Sequence, residues 1–233
     1  DSNGGTIDAN QILSITSVND APVVSGRVNL GSIDEDNELI INSDQLLSKA
    51  SDVDNDSLSI NNLKIAKGHG SITDNDNGTY TFNPNQDWHG KVRLTYDIED
   101  NNGGKVSVKA KLSVDPVNDA PILSGTAANL GLGEEDQSFT ITSTDFLQGF
   151  TDADGDQLSI TNLEVTNGNG SLDLNQKGNW IFTPEANWNG SVDLSYDVID
   201  GNGATTKATQ SFSLDSVNDA PILSGTAANL GTG

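Results

Sequence analysis

Carboxylates are the side chains in this sequence that occur in a pattern suited to chemistry. They recur in clusters, and each cluster appears more than once. Asp52-Val53-Asp54-Asn55-Asp56 is matched by Asp152-Ala153-Asp154-Gly155-Asp156, and Asp34-Glu35-Asp36 by Glu134-Glu135-Asp136. Asp115, Asn118 and Asp119 are matched by Asp215, Asn218 and Asp219. Asp97, Glu99 and Asp100 are matched by Asp197 and Asp200. Two like charges about 4 Å apart repel by roughly 1 kcal/mol in water and about 4 kcal/mol at an effective dielectric near 20. A hard divalent cation reverses that sign. Ca²⁺ takes about 6–8 oxygens from carboxylates, Asn side chains and carbonyls with tolerant geometry, whereas Mg²⁺ prefers a strict octahedron and keeps its water. With no Cys in the chain and only two His, the donors are oxygens, which disfavours zinc and copper.

Other chemistries fit less well. The Asp-x-Asp-x-Asp stretch is not an EF-hand, which needs Gly at its sixth position and Glu at its twelfth. Counted from Asp52 those positions hold Ser57 and Leu63, and from Asp152 they hold Gln157 and Leu163. Asp74-Asn75-Asp76-Asn77-Gly78 has a counterpart, Asn175-Gln176-Lys177-Gly178, with no acid, and reads as a hairpin turn. His69 and His89 correspond to Asn169 and Asn189, so no histidine-based catalytic set can recur in both halves. Gly68-His69-Gly70 and Gly168-Asn169-Gly170 lack the following helix that a phosphate-cradling loop requires. Trp88 and Trp188 share a position before a Gly, where a core or edge plug outweighs a sugar-stacking platform. The net charge of −23, from 11 basic and 34 acidic residues, argues against nucleic acid and anionic membranes as partners. No apolar run is long enough for direct membrane insertion.

The elements that carry these clusters repeat as well. Val18-Asn19-Asp20-Ala21-Pro22 returns as Val117–Pro121 and again as Val217–Pro221, at spacings of 99 and 100 residues. That period is the length of one β-sandwich. It predicts two complete repeats, residues 18–116 and 117–216. Residues 1–17 match 100–116 and 200–216 and read as the last strand of a preceding repeat; residues 217–233 read as the start of a following one. Val92–Ile98 and Val192–Val198 alternate apolar and polar residues, as do Val106–Val114, the mark of half-buried strands. Further strands are expected at 79–82, 179–182, 58–65, 158–165, 38–41 and 138–141, with a single helical turn near 45–49 and 145–148. About seven strands per repeat with no long helix is an all-β, immunoglobulin-like antiparallel sandwich. Tandem sandwiches whose joints each carry one proline (Pro22, Pro121, Pro221) predict an elongated rod. In each sandwich the Asp-x-Asp-x-Asp stretch and the acids after the Tyr strand fall at the end next to the preceding linker, and the Glu cluster at the opposite end.

This arrangement is similar to cadherin repeats, in which a Glu of one module, an Asp-x-Asp pair of the next and an acidic linker jointly hold calcium. Glu35 precedes Asp52 by 17 residues, as Glu135 precedes Asp152. The resemblance implies a central ligand set of Glu35, Asp115, Asn118, Asp119, Asp152, Asp154 and Asp200. It also implies incomplete flanking sets, Asp20, Asp52, Asp54 and Asp100 on one side and Glu135, Asp215 and Asp219 on the other. The phrases Val-Asn-Asp-Ala-Pro, Asp-x-Asp-x-Asp-x-Leu-Ser-Ile and Phe-x-Pro…Trp-x-Gly…Tyr-Asp resemble most closely the bacterial cadherin-like tandem repeats of large surface adhesins exported by type I secretion, the RTX-type adhesins. The linkers depart from the vertebrate form, and Thr16 stands at the position of Asp115 and Asp215. The resemblance implies a non-enzymatic, calcium-rigidified extender on the bacterial cell surface, projecting a distal ligand-binding region in adhesion or biofilm formation. Its partners would be neighbouring repeats of the same chain. The alternative is a carbohydrate-binding or homophilic module, which predicts exposed Trp88 and Trp188.

Overall fold

The computed structural model describes residues 2–4, 6, 8–221 and 225. The chain divides into two compact units, Asp1–Val117 and Asn118–Gly233. The first contains β1 (Val23–Val24), β2 (Val28–Asp34), β3 (Leu39–Asn42), α1 (Ser43–Leu47), β4 (Ala50–Ser51), β5 (Ser59–Lys67), β6 (Gly70–Asp74), β7 (Thr79–Pro84), β8 (Gly90–Glu99) and β9 (Lys105–Asp115). The second repeats the series as β10 (Ile122–Leu123), β11 (Leu132–Glu134), β12 (Phe139–Ile141), α2 (Ser143–Leu147), β13 (Phe150–Thr151), β14 (Ser159–Asn167), β15 (Gly170–Leu174), β16 (Trp180–Pro184), β17 (Gly190–Ile199) and β18 (Thr205–Asp215). The fold is all-β, and in unit 1 a four-stranded sheet, β2-β9-β8-β5, faces a three-stranded one, β3-β7-β6. Unit 2 has the matching sheets β11-β18-β17-β14 and β12-β16-β15.

Alternation decides which side chains fill the space between the sheets. Val92, Leu94, Tyr96 and Ile98 of β8 and Val108, Ala110, Leu112 and Val114 of β9 are buried, and the residues between them point outward. Ile41, Leu46, Tyr80 and Phe82 close the core from the other side. In unit 2 Val192, Leu194, Tyr196, Val198, Phe212 and Leu214 meet Ile141, Phe146 and Phe182. The Tyr96 hydroxyl donates to the carbonyl of Leu46 at 2.8 Å and that of Tyr196 to Phe146 at 3.0 Å, which satisfies a polar group deep in each core. Burial pushes both hydroxyls up to about 12. Trp88 is half-buried against its core, and Gly68 and Gly90 border its indole so closely that a Cβ at either would lie 3.3 and 3.0 Å from it. Trp188 sits the same way beside Gly168 and Gly190.

Most strand pairs are antiparallel, but β2 runs parallel to β9 and β11 parallel to β18. The parallel pairing follows from topology: the first long strand of each unit joins the last, more than 70 residues further along the chain. The helical turns start at residues 43 and 143, two residues ahead of the sequence expectation, because Asn42 and Thr142 act as caps. Residues 74–78 form the turn of the β6–β7 hairpin. Residues 8–17 are exposed and lie in no strand. Of residues 217–233, positions 222–224 and 226–233 lie outside the described residues.

Candidate metal centre

The Asp-x-Asp-x-Asp stretch lies between β4 and β5, in a turn that Asn55 enters with φ of 59°. Asp52 organises it. One of its oxygens, Oδ1, accepts from the amides of Asp54 (2.8 Å) and Asp56 (3.4 Å). The segment before β1 joins at this end, where the Asp20 amide donates to Asp54 Oδ2 at 2.9 Å and Asn19 Nδ2 to Asp100 Oδ2 at 2.9 Å. Asp100 Oδ1 accepts from the amides of Asn102 and Gly104, each at 2.8 Å, and Asn102 Nδ2 donates to Asp56 Oδ2 at 2.8 Å. The Asn19 side chain first, with the backbone amides, outweighs burial and holds the Asp100 carboxyl below its ordinary value.

Unit 2 builds the same end. Asp152 Oδ1 accepts from the amides of Asp154 (3.0 Å) and Asp156 (3.1 Å), and the Asp119 amide donates to Asp154 Oδ2 at 2.9 Å. Asn118 Nδ2 donates to Asp200 Oδ2 at 2.8 Å, and Asn202 Nδ2 to Asp156 Oδ2 at 2.6 Å. Burial pushes the Asp200 carboxyl up, but Asn118 and the amides of Gly203, Asn202 and Ala204 outweigh it, and the net direction is down.

At the opposite end of each unit stands a buried glutamate. Glu35 is 3% exposed; its amide donates to the Asp115 carbonyl at 2.9 Å, and its Oε1 accepts from the Val117 amide at 2.7 Å. Glu135 is 4% exposed and does the same with Asp215 (3.0 Å) and Val217 (2.7 Å). Asp36 and Asp136 accept from the amides of Asp87 and Asn187 at 3.0 and 2.9 Å. Because these contacts use the backbone of residues 87 and 187, Asp and Asn serve equally there. Asp115 ends β9 and accepts from Ser113 at 3.0 Å, and Asp215 ends β18. Asn218 and Asp219 are exposed.

Within each unit the structure thus gathers Asp20, Asp52, Asp54 and Asp100, or Asn118, Asp119, Asp152, Asp154 and Asp200, at one end. It sets Glu35 with Asp115, or Glu135 with Asp215, at the other. Carboxylate oxygens of Asp52, Asp54 and Asp56 all lie within 4.8 Å of one another, as do those of Asp152, Asp154 and Asp156. Asp56 and Asp156 therefore belong with the predicted residues, and their place in the period-two run was the signal for them. Asn19, Asn102 and Asn202 hold the carboxylates in place; each recurs with the repeat, but nothing in the sequence ties them to the carboxylates they meet.

Asp97 is a different case. It accepts from Ser107 (2.6 Å), Lys105 (2.9 Å) and Asn62 (2.8 Å), and these bonds hold its carboxyl well below the usual range. Its charge is answered within the sheet.

The donor chemistry suits a hard cation. Glu35 Oε2, Asp52 Oδ2 and Asp152 Oδ2 are buried and have no hydrogen-bond partner. Among the described residues no lysine or arginine lies within ion-pair distance of them; the nearest basic group is His89 Nδ1, 3.6 Å from Glu35 Oε2 and half exposed. A desolvated carboxylate oxygen without a donor is costly unless a cation meets it.

A family model described as "Cadherin-like domain" matches residues 18–115 and again 117–215. The chain belongs to the cadherin-like domain family. No curated protein sequence matches this cadherin-like chain. Among solved structures it is similar to mouse Cadherin-23 EC22-24 (18% identity, TM-score 0.48, covering 84% of this chain and 65% of that one). It is also similar to Drosophila N-cadherin EC1-4 (17% identity, TM-score 0.45, covering 86% and 50%). A third similarity is to the endo-fucoidan hydrolase MfFcnA4_H294Q of glycoside hydrolase family 107 (20% identity, TM-score 0.35, covering 85% and 29%). The chain spans less than two thirds of each of these proteins. No helix among the described residues is long and apolar enough to cross a membrane.

Proposed function

We propose that this cadherin-like chain is a calcium-rigidified extender segment of a bacterial cell-surface adhesin. Its role is mechanical and not catalytic: tandem sandwiches in series carry a distal ligand-binding region away from the cell. The observation that carries the reading is the set of buried, partnerless carboxylate oxygens on Glu35, Asp52 and Asp152, at ends where no lysine or arginine answers them. Glu35, Asp115, Asn118, Asp119, Asp152, Asp154 and Asp200 would hold Ca²⁺ at the central joint. Asp20, Asp52, Asp54 and Asp100 would serve the joint before it, and Glu135, Asp215 and Asp219 the joint after. The ion would neutralise the clustered charge and stiffen the linker. Millimolar calcium outside the cell fits the roughly 10⁻⁴–10⁻³ M affinities of extracellular modules. The half-buried setting of Trp88 and Trp188 supports this reading over a sugar-stacking module.

Calcium titration calorimetry on the intact chain tests it, together with melting in calcium and in EGTA. A ligand at 100 times its dissociation constant adds about 2.7 kcal/mol to the folded state, so a rise of several degrees in calcium is expected. No heat of binding and an identical melt in EGTA would end the proposal. Asp152→Ala or Glu35→Ala should shorten the maximum dimension seen by small-angle scattering in calcium while each sandwich stays folded.

A further inference from the structure

The outward face of one sheet in unit 1 breaks the acidic character of the chain. Nine of the eleven basic residues belong to this unit, and unit 2 has only Lys177 and Lys207. Seven of the nine lie on neighbouring strands of the β2-β9-β8-β5 sheet, and six of these form one row: Lys64 and Lys67 on β5, Lys91 and Arg93 on β8, Lys109 and Lys111 on β9. All six are exposed, while Val92, Leu94, Ala110 and Leu112 between them face the core.

The register places like charges side by side. Arg93 lies opposite Lys67 on one flank and Lys111 on the other, and Thr95 lies between Lys64 and Lys109. Like charges directly opposite on adjacent strands destabilise a sheet. Among the described residues none of these six has an ion-pair partner, in a chain with three times as many acids as bases. Lys105, further along the same face, is the contrast: it meets Asp97 at 2.9 Å and Glu99 at 3.4 Å. Beside the row a groove of about 350 Å³ is lined by Arg27, Lys91, Arg93, Lys109 and Lys111.

Unit 2 supplies an internal control. The same positions hold Glu164, Asn167, Ser191, Asp193, Thr209 and Ser211. There Asn167 Nδ2 donates to Asp193 Oδ2 at 3.0 Å, so the row is self-satisfied. The fold does not require the cations, because its second copy is built without them.

We infer that this face of unit 1 is a docking surface for a linear polyanionic polysaccharide. The backbone positions that carry the cations are about 4.8 Å apart on adjacent strands, and about 6.8 Å apart when they are two positions along one strand. This makes a track for a flexible chain that carries an anionic group on most of its sugar rings. The patch is narrow and beyond it one lysine, Lys105, answers two carboxylates, Asp97 and Glu99, so the wide, dense charge of duplex DNA would overrun it onto a part of the sheet with a net negative charge. A second copy of this chain would bring a further net charge of −23. The site does not depend on the calcium reading, since none of its residues belongs to the proposed ion-binding ends.

Retention of the full chain on immobilised dextran sulfate, polygalacturonate and neutral dextran tests the inference, in calcium and in EGTA. Binding to one or both charged glycans, absent on neutral dextran and unchanged in EGTA, is the expected result; which of the two binds tells sulfate from carboxylate. Arg93→Asp with Lys111→Ser, the residues of unit 2, should weaken binding about tenfold and leave the melting temperature no lower. Lys64→Glu with Lys109→Thr should do the same from the other side of the row. Unchanged retention of both double variants overturns the inference. So does retention that needs calcium, which would assign it to ion bridging. Equal or tighter binding of a DNA duplex would make the surface a nucleic-acid site. Self-association in sedimentation that the variants abolish would make it a contact between copies.

Discussion

The two units are one design executed twice, and they differ in core filling and in the charge of one outer face. Four bonds at their ends recur in pairs: Asn19 with Asp100 and Asn118 with Asp200, Asp20 with Asp54 and Asp119 with Asp154. Their cores and outer faces do not agree. Unit 1 packs Leu39, Leu46, Ala50 and Leu112 where unit 2 packs Phe139, Phe146, Phe150 and Phe212. In unit 2 the Phe139 and Phe212 rings stack at 4.3 Å, and Phe146 meets Tyr196 edge-on at 4.9 Å. A sandwich of this kind tolerates aliphatic or aromatic filling as long as the volume closes. It does not show the same latitude in the carboxylate ends, which places the shared constraint there.

The largest test of that comparison lies in the core. Phe146→Ala should cost about 3–5 kcal/mol and Leu46→Ala about 2–5 kcal/mol, with the aromatic loss the greater because it also removes the contact with Tyr196. Chemical denaturation of each variant measures this, and an equal or larger loss for Leu46→Ala would mean the aromatic filling adds nothing. A smaller effect should be the same in both units: Tyr96→Phe and Tyr196→Phe each remove one buried hydrogen bond, worth about 1 kcal/mol. The pH dependence follows from these hydroxyls. An unfolded tyrosine ionises at 10.0 and the folded ones at about 12, so their contribution is complete below 10 and is lost as pH climbs toward 12. Absorbance titration should show both ionising late, and each Phe variant should lose part of the alkaline sensitivity. The smallest effect separates the units again: Arg93→Asp should stabilise unit 1 by about 0.5 kcal/mol, by relieving repulsion from Lys67 and Lys111, and so make it more like unit 2.

Much of the fold is legible in the chain because alternation in Val92–Ile98 and Val192–Val198 states which side faces the core. Strand β2 is not legible in the same way. Its pairing with β9 shifts between Asn29 and Ser32, around Gly31 at φ of 85°, so its pattern is interrupted where a reader would look for it. Its parallel partner is remote, and no local signal announces that. At the ends, the carboxylates stand out by type and spacing. The bonds that aim them join residues 81 and 82 positions apart, Asn19 to Asp100 and Asn118 to Asp200, and only the closed sandwich brings these together. The cations of unit 1 are visible as letters, but their alignment into one row follows only from register.

Asn62 and Asn162 sit at φ of 56° and 54° inside β5 and β14, where the ladder to the neighbouring strand slips. Each donates to the aspartate across from it, Asp97 at 2.8 Å and Asp197 at 2.7 Å, which fixes the irregularity in place. Both strands are the outer members of their sheets. A chain made of near-copies invites one module's open rim to zip onto that of another, on the same molecule or the next. A bulge at the rim bends the exposed amides out of line and spoils that template. Such a slip in each copy disfavours edge-to-edge fusion of one module with its near-copy.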